Sequence, residues 1–255
     1  MSGATPNAPR VYIHEFVDII GHNRANYLQH MTANWGPIGR AERNQLCFGV
    51  WATVGSTGRW PQVVNLWEYE NWASLGRNFE IEQRGSGLQD PSLEAWWSVA
   101  AGFRSGGVDR ILVAADWSPS IEEHCVARAE GAPPAAGYAH ELVRCRPGGA
   151  GAVLDAVRDL GIEAYEGAGL CLVGAFRRAM VDEDECVLIW SFDTWDTWAR
   201  FEAGVEADGP GPMGNWTRVR RVLVTGFERI LMADAPLSPL RTGRQPLESD
   251  RVGLP

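Results

Sequence analysis

Two histidines stand at matching places in the chain. Tyr12-Ile13-His14-Glu15-Phe16-Val17 is answered by Tyr138-Ala139-His140-Glu141-Leu142-Val143, a spacing of 140 − 14 = 126 residues. Both runs read as strands, rich in β-branched and aromatic residues. An imidazole held in a strand titrates near neutrality and can act as acid or base. His14 is therefore the expected catalytic acid or base, with Tyr12 and Asn65 polarising a substrate. The competing reading is a core imidazole bonded to its neighbours. His14 and Glu15 are adjacent in a strand, so they point to opposite faces and form no local dyad. Trp67, Tyr69, Tyr27, His30, Arg110 and Trp97 are the expected substrate-binding residues. His30 is more readily placed toward solvent than toward a pocket. Arg110 and Arg229 each follow an acid, Asp109 and Glu228. A structural ion pair is favoured there over an anion site.

The elements that position these residues come in two copies. Leu46-Cys47 matches Leu170-Cys171 at a spacing of 124, and Trp67 and Trp72 match Trp190 and Trp195 at 123. Trp97 matches Trp216, and Gly107 to Leu112 matches Gly226 to Leu231, at 119. Five collinear matches with a shrinking offset indicate a tandem repeat. In the first copy, strands are expected over Val11–Ile19, Leu46–Val54, Gln62–Tyr69 and Val108–Ala114. A helix follows Gly21, from His22 to about Ala33, with Tyr27 and Met31 on one face. Asn71 caps a helix whose inner stripe is Trp72, Leu75 and Phe79. Asp90-Pro91 opens another that carries Trp96 and Trp97. In the second copy the strands are Tyr138–Cys145, Leu170–Phe176, Val187–Phe192 and Phe227–Met232. Its helices are Ala150–Leu160 and Thr194–Glu202, the latter capped by Asp193. Each copy thus reads β-α-β-β-α-β. The fold class is α+β: two fused ferredoxin-like units forming one intrachain barrel. The expected divisions are 10–117, a Pro/Ala/Gly-rich linker 118–136, 137–235, and a tail 236–255 that is either disordered or a surface arm.

Composition narrows the partners. Net charge is −9, which speaks against nucleic acid. No apolar run is long enough to span a bilayer, and Met1 to Arg10 lacks the pattern of a secretory signal. A cytoplasmic location is expected. All 23 basic residues are Arg, as a GC-rich bacterial genome would encode. The five cysteines are scattered with no CxxC pair, so free thiols are expected. There is no HExxH, Walker loop, GxSxG or Rossmann fingerprint, so zinc, iron–sulfur and nucleotide cofactors are not expected. Eight of the 12 Trp precede residue 128, which points to the first copy as the one that holds the pocket.

The strand Gln62-Val63-Val64-Asn65-Leu66-Trp67-Glu68-Tyr69 resembles the "VVHLWRY" strand of the NIPSNAP family. Asp90-Pro91 followed by Trp96 and Trp97, and the Gly after each opening strand (Gly21, Gly148), are similar to that family too. The resemblance covers both copies and implies a dimeric α+β barrel, here made within one chain. Where the family tends to carry His before Leu-Trp, this chain has Asn65 and Leu188, so no role of that His is carried over. The wider superfamily includes cofactor-free monooxygenases, cyclases, dehydratases and haem enzymes, so fold alone does not select a reaction. The expected function is that of a cofactor-independent enzyme. It would act by His-assisted proton transfer on an apolar, aromatic or polyketide- or terpene-like molecule. A haem enzyme with an axial His, or a non-catalytic carrier of a hydrophobic ligand, is the alternative. A homodimer is compatible with the resemblance.

Overall fold

The computed structural model describes residues 8–85, 87–205 and 209–251. The last four residues of the expected tail, and most of the N-terminal segment, lie outside the described residues. Eight strands close into a barrel in the order β1-β3-β2-β8-β5-β7-β6-β4. The first half supplies β1 (Val11–Ile19), β2 (Leu46–Thr53), β3 (Gln62–Tyr69) and β4 (Arg104–Ala114). The second supplies β5 (Gly137–Cys145), β6 (Leu170–Arg178), β7 (Glu185–Phe192) and β8 (Val224–Asp234). Within each half the first strand lies between the third and the fourth, as the β-α-β-β-α-β order requires. The halves meet at two short seams. β2 pairs with β8 over Trp51–Thr53, and β4 pairs with β6 over Leu112–Ala114. Closure removes most free strand edges.

Strand alternation sorts the side chains into three cores. Tyr12, Phe16, Phe48, Trp51, Val64 and Leu66 point into the barrel with Phe176, Val187 and Ile189 of the other half. Val11, Val17, Val63, Trp67 and Tyr69 point outward and are covered by helices of the first half. The second half has an equivalent outer layer around Leu188, Trp190 and Leu231. Both β2 and β6 carry a bulge followed by a glycine, Gly49 and Gly174. A Cβ at Gly49 would lie 2.2 Å from the Trp51 ring, and one at Gly174 would lie 2.5 Å from Phe176. The bulge folds each following ring back over its own strand, and only glycine leaves room for it.

The first helix runs further than expected. α1 (Arg24–Gln29) passes through a π-helical segment, His30–Trp35, into α2 (Gly36–Arg43). The second half repeats this with α6 (Ala150–Ala156), a π segment Val157–Gly161 and α7 (Ile162–Glu166). α3 (Trp72–Glu82) is capped by Asn71, whose side chain accepts from Ser74 N. Its expected inner stripe is only partly inward: Leu75 is buried, whereas Trp72 and Phe79 are 43% and 40% exposed. Asp90 caps α4 (Pro91–Ala100) as read. α8 (Trp195–Gly204) is capped by Thr194, with Asp193 one residue further back accepting from the Thr197 hydroxyl. The segment 118–136 holds a helix, α5 (Ile121–Ala129), started by a Ser120/Glu123 capping box. A further unforeseen helix, α9 (Pro212–Leu223), precedes β8. The tail is an arm: it forms α10 (Pro239–Thr242), and Gln245 brackets the Cys47 backbone at 2.9 and 2.8 Å. Among the described residues no helix is long and apolar enough to cross a membrane.

Candidate functional site

Between the outer face of the first half's sheet and its helices lies a cavity of about 500 Å³. Its walls are Met31 and Trp35 of the π segment, Phe79 of α3, and Leu93, Trp96 and Trp97 of α4. The second half completes it: Ala179, Met180 and Val181, from the β6–β7 hairpin, lie across one side. That hairpin is tied down by the Ala179 N–H donating to Ile111 O at 2.8 Å. The floor is the sheet itself, with Ile13, Glu15, Trp67, Asp109 and Ile111.

Glu15 is the polar centre of that floor. One oxygen, Oε2, accepts from Trp67 Nε1 at 2.7 Å and from Asn65 Nδ2 at 3.0 Å. The same Asn65 amide nitrogen lies 3.0 Å from the Tyr27 hydroxyl, which fixes its orientation. Glu15 Oε1 takes no hydrogen bond from the described residues. Burial raises the Glu15 pKa above the ordinary carboxylate range, and the charge of Asp109, its cross-strand neighbour, raises it further. The Asn65 and Trp67 hydrogen bonds and the Arg104 charge oppose that rise. The Asp109 pKa is also raised by burial against the pull of Arg104. A carboxyl group in an aromatic cavity, one oxygen anchored and the other free, is poised to take or give a proton.

The corresponding place in the second half is filled. Glu141 stands where Glu15 does, but its cross-strand neighbour is Arg229 rather than an acid. Arg229 donates to Glu141 at 2.7 and 2.9 Å and to Glu202 at 2.8 Å, and its guanidinium lies 4.8 Å from the Phe201 ring centre. Tyr165 and Trp190 donate to Glu141 as well, at 3.0 and 3.1 Å. The strand register sets the true equivalence at 229 − 109 = 120 residues, not 119. Arg110 is therefore not the counterpart of Arg229; Asp109 is. Of the two tryptophans in α4, Trp96 is buried as Trp216 is, while Trp97 is half-buried.

The histidines lie elsewhere. His14 and His140 are fully buried inside the barrel, Nε2 to Nε2 at 2.9 Å with their rings stacked at 5.0 Å. Across the sheet His14 faces Leu66 and Arg110, while Asn65 and Trp67 flank Glu15 and Ile13 on the other face. The expected grouping of His14 with Asn65 is thus not formed. Burial holds both imidazoles neutral, and His140 is pushed down to about 3. Tyr12 is also inside the barrel, its hydroxyl donating to Glu68 at 2.7 Å. His30 is buried rather than solvent-facing: it stacks on Trp96 at 5.0 Å, and its nitrogens meet Trp96 O and Asn34, each at 3.0 Å. Tyr69 is buried beneath the helices with its hydroxyl unpartnered. Arg110 lines the cavity and makes an ion pair with Glu185 at 2.9 Å. Of the expected site residues the cavity collects Trp67, Trp97 and Arg110, with Asn65 and Tyr27 holding Glu15 from beneath. Glu15, Asp109 and Arg104 were missed. The readable signal was alternation: 15, 65 and 67 share a face once β1 and β3 are paired.

These residues do not fit a haem. His14 and His140 spend Nε2 on each other, with Nδ1 of each buried in the barrel without a partner; His30 spends both nitrogens on the protein, and His22 is exposed. His124 binds Val173 O at 2.8 Å beside a smaller cavity of about 340 Å³. Among the described residues no imidazole lines the tryptophan-walled cavity, so that cavity offers a haem no axial ligand from histidine.

The class that fold and site define is the dimeric α+β barrel, with both halves in a single chain. Solved structures of that fold include a "putative monooxygenase" of Fusobacterium nucleatum, 9% identical over 89% of this chain and 93% of that one, with a TM-score of 0.58. An anthrone oxidase-like protein is 10% identical over 89% and 94%, with a TM-score of 0.56. Within the class, the chain resembles the NIPSNAP family: a member from Agrobacterium tumefaciens is 21% identical over 41% of this chain and 98% of that one, at a TM-score of 0.35. No protein-family model matches the chain, and no curated protein matches it.

Proposed function

We propose that the chain is a cofactor-independent enzyme that removes a proton from an apolar aromatic molecule bound in the first half's cavity. Glu15 is the base. The observation that carries this reading is Glu15 itself: a carboxylate of raised pKa on the floor of a tryptophan-walled cavity, with one oxygen free. In the second half the same carboxylate is sealed by Arg229. Proton abstraction next to a conjugated carbonyl is the shared first step of cyclisation, isomerisation, elimination and cofactor-free oxygenation. Asn65 and Trp67 hold the carboxylate still, and the aromatic walls exclude water and stack the substrate. His14 is assigned to the barrel core rather than to catalysis.

Anthrone suits the cavity as a probe, being flat, apolar and acidic at its methylene carbon. Glu15 would take one methylene proton to leave a delocalised anion. In air the balanced outcome is anthrone plus dioxygen giving anthraquinone plus water, with one oxygen atom in each product. The test is methylene hydrogen–deuterium exchange followed by NMR without oxygen, then oxygen uptake in air. Glu15→Gln keeps the shape and should lower the enzyme-dependent exchange by about 10²-fold or more. Exchange by Glu15→Gln at the wild-type rate would remove Glu15 as the base. Binding without exchange would make the protein a carrier.

A further inference from the structure

We propose that the molecule bound in this cavity carries an anionic oxygen group, a carboxylate or a phenolate, and that Arg104 holds it. This rests on the reading of the cavity as the substrate site. Arg104 is the first residue of β4, and its guanidinium lies 4.8 Å from the Trp97 ring centre, on the cavity wall. It makes no ion pair among the described residues, and its Nε is buried with no hydrogen-bond partner. The neighbouring cations are already engaged. Arg43 is bound to Glu82 and Asp90 at 3.4 and 2.9 Å, and Arg178 reaches Glu185 at 3.5 Å. Arg110 gives its Nε to that same Glu185, while its Nη1 is buried without an acceptor.

The Arg104 guanidinium therefore lines the cavity with its donors unmet, and such orphans are costly when buried. An anionic oxygen satisfies them at once, through charge-assisted hydrogen bonds. Glu15 and Asp109 are near enough for their charges to act on Arg104, yet neither reaches ion-pair distance. In the second half the arginine rises from the position of Asp109 and closes on the carboxylate. In the first half that position holds Asp109, and Arg104, without an ion pair among the described residues, stacks on tryptophan instead. That arrangement keeps the base free of the cation and leaves the cation free for a ligand.

The experiment compares 2-naphthoate with 2-naphthamide, which share a ring system and nearly a shape but differ in charge. Binding of each to the full chain is measured by titration calorimetry at pH 7 and low salt. We expect naphthoate to bind at least tenfold more tightly, and Arg104→Gln to bring the two within about twofold. Equal binding of the two by the wild type, or an undiminished preference in Arg104→Gln, overturns the proposal while the cavity remains a binding site. Binding of neither overturns the substrate-site reading, and this proposal falls with it. Should Arg104→Gln fail to fold, the wild type in 0.5 M salt and Arg104→Lys take its place. The naphthoate preference should shrink several-fold in both, and a preference unmoved by either refutes the anchor.

Discussion

Acid should unfold this protein through its paired barrel histidines. His14 and His140 are fully buried, and burial lowers both pKa values, that of His140 to about 3. The ordinary value in an unfolded chain is about 6.5. Below that pH the unfolded state binds protons that the folded state refuses, so stability falls as pH drops. The loss starts near pH 6.5 and continues down to the folded values, about 3 for His140. Each histidine contributes roughly 1.4 kcal/mol per pH unit, so between pH 6.5 and 5 the pair costs about 4 kcal/mol at most. That is a large share of the roughly 5–15 kcal/mol that holds a typical domain together. Buried carboxyls act in the opposite sense. The pKa values of Glu15, Glu68 and Asp234 are raised by burial, Asp234 to about 6, and these groups stabilise the fold as they protonate. The comparison must therefore be with a chain that differs only in the pair. His14→Gln/His140→Gln keeps two facing hydrogen-bonding groups that do not titrate. Urea unfolding at pH 7, 6 and 5, followed by circular dichroism, should show the wild type losing up to about 4 kcal/mol more than the double variant. A difference under about 0.5 kcal/mol would refute the assignment of these imidazoles as buried neutral groups.

Two further outcomes follow from the two carboxylates. Arg229→Met should destabilise the fold by about 3–5 kcal/mol, because Glu141 would be left buried and unpaired. Adding Glu141→Gln should restore most of that, and thermal melts of the two variants check it. Asp109→Asn removes the charge that raises the Glu15 pKa. The acidic limb of the kcat/KM profile should then move to lower pH, and a move to higher pH would contradict the pairing.

The barrel was legible because its cues are periodic and repeated. The two Tyr-x-His-Glu strands and the Trp67/Trp190 pair stand in equivalent elements, and Asn71 and Asp90 cap the helices they were expected to open. The site was less legible because it depends on register, and a one-residue slip reverses every side chain. Gly107-Val108-Asp109-Arg110-Ile111-Leu112 and Gly226-Phe227-Glu228-Arg229-Ile230-Leu231 align by letter with Arg110 on Arg229. The backbone pairs Glu15 with Asp109 but Glu141 with Arg229, one residue away from the letter match. The acid pair is hidden by that slip. His30 was misplaced although it stands three residues after Tyr27 and so shares its helix face; the π segment it opens is buried nearly all round, at His30, Met31, Thr32, Ala33 and Trp35. The helix in the segment joining the halves was visible as Ser120-x-x-Glu123, a capping box outweighed by the prolines around it.

One cross-strand position thus decides two fates for the same carboxylate. Glu141 receives four hydrogen bonds, from Tyr165, Trp190 and twice from Arg229, and both its oxygens are occupied. A carboxylate so held is locked in place, which suits structure and leaves no oxygen open to a substrate. Glu15 receives two, both on Oε2, and faces an acid rather than a cation. Its proton affinity rises and its second oxygen stays available, which suits a base and costs local stability. Closing the barrel requires both halves, because the strands of each complete the interior of the other. Turnover requires only one open floor. The second half also supplies Met180 and Val181 to the open cavity. Its ion-paired core then does more than fill space: Glu141 stands on β5, which pairs with β7, and β7 carries one end of the hairpin that reaches over the site in the first half.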